Sequence, residues 1–262
     1  MTSNSTNELS LLAMKSLPRE LYVRQEVMPA GHFFPPHRHD WHQLLYAVSG
    51  VLVVDLIGER YFIPPEQAIW LPGGCQHSVY SGYGADLKSL YIESSYQGLA
   101  ADSASVLQIT SLMRELILAA ADIEVEYPLQ GYENDLVQLL LQSLSRLERN
   151  DQHLPWPVSG DLISLCNQLY EQPDSSDTSE QLADSLAVSL RTLDRRFRRE
   201  TGMSLKQWRQ QLRLMQAIEL LNTGQNITSI ALELGYSSAS PFIYMFREKF
   251  GISPAQYRKH SR

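Results

Sequence analysis

The sequence predicts an α+β protein in two parts: an N-terminal β-barrel with amphipathic helices after it, and a C-terminal all-α domain holding two helix-turn-helix units. Three observations carry this prediction. Charge divides the chain, because residues 1–158 hold 9 Lys/Arg against 18 Asp/Glu, whereas Ser189 to Arg262 hold 13 basic residues against 5 acidic ones. The basic end repeats itself. The acidic front reads LLYAVSGVLVVDLIGERYFIPPEQAIWLP, short apolar runs broken at Ser49-Gly50, Gly58 and Pro64-Pro65, the pattern of strands separated by turns.

A chain of 262 residues supports two ordinary domains. No window approaches the roughly 18 consecutive apolar residues of a membrane span. The first twenty residues, MTSNSTNELSLLAMKSLPRE, lack a basic start and a sustained apolar stretch, so a secretory signal is not expected and the cytoplasm is. Cys75 and Cys166 stand far apart without a CxxC, which argues against a disulfide framework or a cysteine zinc site. The expected organisation is a flexible N-terminus at 1–18, the barrel at 19–100, amphipathic helices at 101–150, a linker at 151–158 and the helical domain at 159–262.

In the barrel, GHFFPPHRHDWHQLLYAVSG from Gly31 to Gly50 places three histidines within six residues. On an extended strand His37, His39 and Gln43 share odd parity with Trp41 and Leu45, so they point to one face while His42 points to the other. With His77 arriving from a neighbouring strand, one divalent transition metal could receive three imidazoles and an amide oxygen, without the donors choosing among zinc, nickel, iron and copper. The alternative is that these side chains only hydrogen-bond one another inside a barrel that encloses an organic ligand.

After the barrel, SVLQITSLMRELILAAADIE carries Leu107, Ile109, Leu112, Leu116 and Ala120 at helical spacing, and GYENDLVQLLLQSLSRLER carries Leu136, Leu139, Leu140, Leu144 and Leu147. Such leucine-rich faces must pack on something, either the barrel or a second copy across a two-fold axis. The segment DQHLPWPV then reads as a linker stiffened by its prolines.

In the basic end, ETGMSLKQWRQ aligns with KFGISPAQYRK at a shift of 49, and Ala183 and Leu186 match Ala231 and Leu234 at 48; one unit is used twice. In the first copy Thr178 and Gln181 form a capping-box start, and Ala187-Val188-Ser189 leads to a helix with Leu190, Leu193 and Phe197 inward and Arg191, Asp194, Arg195 and Arg198 on the opposite face. In the second copy Asn226 is the cap, Ile227, Ile230, Ala231 and Leu234 make the stripe, and Gly235 supplies the turn. Pro241 is tolerated near the start of the next helix, where Phe242, Phe246 and Phe250 face inward. A helix from Ser204 to Asn222, roughly 28 Å long, would hold the two second helices about one DNA turn apart.

Residues 160–260, through SLRTLDRRFRRETGMS and LRLMQAIELLNTGQNITSIALELGYSSASPFIYMFREKFGISPAQYR, resemble the DNA-binding domain of the AraC/XylS family of bacterial transcriptional regulators. The resemblance puts base contacts on Ser189, Arg191, Asp194 and Arg195 in the first recognition helix and on Ala239, Ser240, Pro241 and Tyr244 in the second. Gly31, His37, His39, Gln43 and Gly50 resemble the first motif of the cupin superfamily, with Gln43 where glutamate is usual. PGGCQH at Pro72, Gly74 and His77 resembles the second, although Glu66 and Ser81 depart from it. The joint reading is a sequence-specific DNA-binding regulator, not an enzyme, that senses a small-molecule effector at Trp41, Leu45 and Trp70, with or without a metal at His37, His39, Gln43 and His77. The family further implies a homodimer that activates transcription through RNA polymerase. The rival is a metal-dependent cupin enzyme fused to a DNA-binding domain, and it requires turnover at those histidines.

Overall fold

The computed structural model describes residues 7–99, 103–150 and 153–260. The expected flexible start and linker thus lie partly outside the described residues, at 1–6 and 151–152. In chain order the elements are β1 (Leu21–Met28), β2 (His32–His37), β3 (His42–Gly50), β4 (Leu52–Leu56), β5 (Glu59–Ile63), β6 (Gln67–Leu71), β7 (His77–Ser81), β8 (Ala85–Ile92) and β9 (Ser105–Gln108). Then come α1 (Ser111–Ala121), α2 (Tyr132–Leu144), β10 (Arg149–Asn150), β11 (Leu154–Pro155) and α3 (Gly160–Glu171). The chain continues through α4 (Ser179–Ser185), α5 (Leu190–Thr201), α6 (Leu205–Asn222), α7 (Ile227–Glu233), α8 (Ala239–Phe250) and α9 (Pro254–His260). Two compact units result, one from Met1–Val54 and Ile63–Gln152, the other from Asp55–Phe62 and His153–Arg262.

The first unit is the strand-rich one. One sheet runs β1-β8-β3-β6-β9-β10, and in the other β4, β7 and β2 are neighbours. Alternation along β3 assigns its two faces: Gln43 and Leu45 line an internal cavity, while Leu44 and Tyr46 join a core with Trp70, Leu90 and Ile117 beneath the helices. Gly50 is required where β3 ends, at φ +80, since a Cβ there would stand 2.1 Å from the Gly84 carbonyl oxygen. Thr110 caps α1 by accepting from the Met113 amide. The helices bury Met113, Leu116, Ile117 and Ala120 from α1 and Leu136, Leu140, Leu141 and Leu144 from α2 in the core on the outer face of the sheet. Most of the predicted leucine stripe therefore covers the six-stranded sheet. Leu112 and Leu139 remain 59% and 47% exposed.

Three expectations are corrected in this unit and its flanks. Residues 105–108, expected to start a helix, form β9 instead, paired to β6 with Val106 opposite Ile69, because sheet pairing and burial override a weak helical period. The flexible N-terminus does not extend through residue 18: the Leu9 amide donates to the Phe33 carbonyl and the Phe33 amide to the Asn7 carbonyl, each within 2.9 Å. Nor is 153–158 a free spacer. Leu154 is wholly buried and Trp156 nearly so, β11 pairs with β5, and the Arg60 guanidinium lies 3.7 Å above the Trp156 ring, so the segment is part of the second unit's core.

In that second unit the caps predicted from sequence form: Thr178 and Gln181 make a reciprocal capping box at α4, and Asn226 accepts from the Ser229 amide at α7. Ser204, expected from sequence inside the helix, makes a further capping box with Gln207 at α6. Ser204 is thus the cap and α6 has 18 residues, about 27 Å. Its Trp208 is fully buried, donates to the Pro155 carbonyl at 2.7 Å, and packs against Phe197 and Trp156. Further along, Leu214, Ala217 and Leu221 share a core with Ile230, Leu234, Phe242 and Phe246. Glu219 is buried on the same helix, where desolvation pushes its carboxyl up to about 7 and the Tyr170 hydroxyl donates to it.

The two helix-turn-helix turns solve one backbone problem differently. Gly235 stands at φ +75, and Ala187 takes the corresponding place at φ 54. A Cβ on Gly235 would meet Asp174 Cα at 2.9 Å and an Arg213 guanidinium nitrogen at 3.0 Å. Gly235→Ala is expected to cost on the order of 2 kcal/mol in denaturant unfolding of the full chain, from left-handed strain plus the contact. Ala187→Gly is expected to change stability by less than about 0.5 kcal/mol, relief of strain offsetting unfolded-state entropy. A Gly235→Ala variant as stable as the wild type would sink this account.

Candidate ligand pocket and nucleic-acid interface

A cavity of about 350 Å³ opens inside the first unit. Leu45, Val79 and Leu87 supply its aliphatic wall, and Phe34, Trp41 and Tyr91 its aromatic one. Arg38, Asp40 and the Arg24–Glu26 pair bring charge to it, and Leu11, Leu12, Met14 and Lys15 come from the N-terminal segment. Trp41 stacks on His39 with ring centroids 5.1 Å apart, and Tyr91 meets both edge-on.

The strand-parity argument for the histidines does not survive. β2 ends at His37 and β3 begins at His42 in the other sheet, so His39 and Trp41 lie in the connection between strands. The grouping is nevertheless formed by tertiary contact: His37 sits opposite His77 across the β2–β7 pair, and donor atoms of His37, His39 and His77 all lie within 4.8 Å of one another. His42 does point away as predicted, stacking on Trp70 and accepting from the Gly73 amide. Trp70 itself is corrected. It is opposite Leu44 in the sheet and fully buried among the residues beneath the helices, so it faces away from the cavity that Trp41 and Leu45 line.

Each of the three imidazoles is oriented by a backbone carbonyl at Nδ1: Pro35 for His37, Trp41 for His39 and Cys75 for His77, at 2.8 to 3.0 Å. A ring that donates from Nδ1 keeps its lone pair on Nε2, the form that binds a metal. Burial is the main cause that lowers the pKa of His37, and it pushes His77 down to about 3, which keeps that ring neutral. Among the described residues, His77 Nε2 is buried without a hydrogen-bond partner, as is Trp41 Nε1. His39 Nε2 stands 2.9 Å from Gln43 Oε1, and the Gln43 amide nitrogen donates to Ser89 Oγ. That contact is satisfied by a proton on each ring nitrogen, by the amide turned about with Ser89 donating to its oxygen, or by a shared cation. The donor set therefore fits a divalent transition metal held by His37, His39, His77 and Gln43.

In the second unit, the residues marked for base contact lie on α5 and α8. Arg191 and Arg195 are exposed one turn apart, and neither has an ion pair among the described residues. Asp194 is engaged, its carboxylate 2.8 Å from Arg198, and the Ser189 hydroxyl caps α5 by accepting from the Thr192 amide. Ser240, Pro241 and Tyr244 are exposed on α8, Tyr244 at 64%, and Ala239 is half-buried. Sequence reasoning missed the N-terminal wall of the pocket and the two orphaned ring nitrogens. Neither leaves a local pattern, since both arise from chain segments far apart in sequence.

Two recognition helices held by one connecting helix, in a chain that also carries a cavity-bearing β unit, define a ligand-binding DNA-binding regulator. The chain matches an AraC-like ligand binding domain over residues 22–191 and a helix-turn-helix domain over 182–260. It is 32% identical over 223 residues to the HTH-type transcriptional regulator NimR of Escherichia coli, covering 85% of this chain and 81% of NimR. It is 25% identical over 260 residues to the HTH-type transcriptional activator RhaS of Escherichia fergusonii, covering 88% and 90%. The solved structure of ToxT from Vibrio cholerae is similar over 92% of this chain and 98% of its own, at TM-score 0.39 and 13% identity. The chain belongs to the AraC family of helix-turn-helix transcriptional regulators. It is a DNA-binding regulator and not an enzyme, and no helix among the described residues is long and apolar enough to cross a membrane.

The unequal reading heads give a direct expectation. Arg191→Ala or Arg195→Ala removes a side chain able to grip guanine O6 and N7 together, and is expected to cost about 1–3 kcal/mol on the operator with little change on unrelated DNA. Ser240→Ala should cost less. Equal losses for all three in a gel-shift titration would contradict the ordering.

Proposed function

We propose that the protein is an effector-responsive transcriptional activator of the cytoplasm that works as a homodimer and engages RNA polymerase. The observation that carries the effector reading is the cavity lined by Trp41, whose buried Nε1 donor has no hydrogen-bond partner among the described residues. Unsatisfied buried polar atoms are costly and mark ligand or ion sites. A small molecule with an apolar or aromatic body would rest between Trp41 and Leu45 and satisfy the indole N–H. Its differential affinity for two arrangements of the protein would change DNA affinity or polymerase contact; a ligand indifferent to the two would shift nothing. The activator assignment follows RhaS by name.

The cupin-like histidines are proposed to hold one divalent transition metal, which would supply a Lewis acid for an effector heteroatom. His77 and His37 are kept neutral for that role by burial, and the carbonyls at Nδ1 fix their rings. Leu112 and Leu139, left uncovered by the core, are proposed as the centre of the dimer contact.

Genomic fragments retained by the purified full chain, placed before a reporter, are expected to respond to a metabolite of the neighbouring genes. Trp41→Ala should cut that response at least about ten-fold, equivalent to 1.4 kcal/mol, while operator affinity in the absence of the metabolite stays unchanged. An unaltered response would place the effector elsewhere.

Native mass spectrometry tests the remaining parts together. After reconstitution with zinc, two chains and one ion per chain are expected, with His77→Ala losing the ion and Leu139→Asp giving monomers. A wild-type monomer, or full zinc retention by His77→Ala, would overturn the corresponding assignment.

A further inference from the structure

A second cavity, of about 410 Å³, lies within the DNA-binding unit and has no part in the effector reading. Its walls come from three places: the chain leading into α4, at Ser175 to Ser179; one face of α6, at Lys206, Arg209, Gln210 and Arg213; and Tyr236, just after the turn of the second helix-turn-helix unit. Its charge is one-sided. Three cations converge on it, and the single lining carboxylate, Asp177, already accepts from the Ser175 hydroxyl at 2.9 Å.

The two arginines are fixed in place without being neutralised. Arg209 donates to the Asp177 and Ser175 carbonyls at 2.6 and 2.7 Å, and Arg213 to the Pro173 carbonyl at 2.8 Å. Carbonyls orient a guanidinium but leave its charge uncompensated, and each fork keeps spare N–H groups. Desolvation and then the Arg213 charge lower the pKa of Arg209, against a smaller opposing effect of Asp177, so an incoming anion would offset the repulsion between the two arginines. Lys206 is exposed and has no ion pair or hydrogen bond among the described residues. The Tyr236 hydroxyl is buried with no hydrogen-bond partner among the described residues. A preorganised cluster of cations, an orphaned hydroxyl donor and nearby serine hydroxyls form a receptor for a tetrahedral oxyanion.

We propose that the crevice bounded by Lys206, Arg209, Arg213 and Tyr236 is a phosphate site. The favoured source of the phosphate is the operator backbone between the two major grooves that α5 and α8 enter. This rests on the DNA-binding reading of the family. In helix-turn-helix docking the first helix of each unit crosses the backbone while the second reads the groove. The crevice is made at the entry to α4 and the exit of α7, which are those first helices, and from the helix that joins the two units. A phosphate gripped there would fix register without reading sequence, leaving discrimination to Arg191 and Arg195.

The test uses the full chain with Lys206→Gln and Tyr236→Phe, and with Arg191→Ala as the control for DNA reading. Arg209 and Arg213 are left intact because they hold the loop before α4. Operator and scrambled duplexes are titrated across a salt series, and inorganic pyrophosphate is titrated without DNA and followed by NMR. If the backbone supplies the phosphate, Lys206→Gln weakens both duplexes alike and lowers the slope of log K against log salt by about 0.9. Tyr236→Phe also weakens both, by roughly three- to ten-fold, with unfolding no easier than in the wild type, whereas a merely structural hydroxyl would lower stability. Arg191→Ala loses only the operator preference. Unchanged DNA binding together with pyrophosphate shifts in the wild type that vanish in Lys206→Gln would keep the phosphate site and assign it to a free phosphorylated ligand. Unchanged slopes together with no pyrophosphate response would overturn the proposal, and an Arg191→Ala protein indistinguishable from wild type would instead indict the DNA-reading assignment.

Discussion

The packing of α6 is the constraint on which the DNA-reading half depends. Eleven of its 18 residues are buried, far more than a one-sided amphipathic helix would hide. The reason is that two cores claim it. Trp208 closes the first against Phe197 and Trp156, and Leu214, Ala217 and Leu221 close the second against Phe242 and Phe246. A side chain of that size contributes on the order of 2–3 kcal/mol when fully buried, so bending or sliding the helix would lose several such terms at once. The separation of α5 from α8 is thereby a property of a rigid rod and not of a flexible tether. The polar remainder of the same helix holds the loop before α4 through Arg209 and Arg213 and leaves Lys206 exposed.

The strand-rich unit follows the opposite logic. Its outer sheet face is covered by α1 and α2, and β3 commits Leu44 and Tyr46 to that core. The inner face leaves a cavity where the Trp41 indole N–H has no partner among the described residues. Natural cores avoid such atoms because each costs stability, and exceptions gather where function requires them. Gln43 illustrates the compromise. It is 2% exposed, tied to Ser89 on one side and facing His39 on the other, so it is held in place whether the histidines share a proton network or an ion.

Duplication explains the architecture of the DNA-binding unit, and divergence explains its division of labour. Both copies keep a cap, an apolar stripe and a left-handed turn residue, since those features make the motif fold. The exposed faces have separated: paired arginines on α5 suit direct readout of guanine, while Ser240 and Tyr244 on α8 suit methyl, water-mediated or backbone contacts. Even the turn differs, with Ala187 accepting a conformation that Gly235 adopts without strain.

How much of this was legible in the sequence depended on the range of the physics involved. Helix caps, the repeated units and the exposed arginines could be read directly, because capping and amphipathicity act over three to four residues. The histidine cluster was legible as a set of residues but for the wrong reason. Parity holds only along an unbroken strand, and the chain turns between His37 and His42, so His39 and Trp41 reach the cavity through a loop. Trp70, Leu112, Leu139 and the segment at Leu154 to Trp156 could not be placed from spacing. An apolar side chain at any of these positions satisfies the same local pattern whether it faces a cavity, a helix layer, a linker or a partner. The sequence by itself determined the strand-rich front, the repeated helical units of the C-terminal end with their caps at Thr178 and Asn226, and that this end reads DNA. Only the tertiary structure decided which face of β6 meets the helices, that Leu154 and Trp156 are core, and that two ring nitrogens in the strand-rich unit have no partner among the described residues, because those outcomes turn on contacts between residues tens of positions apart.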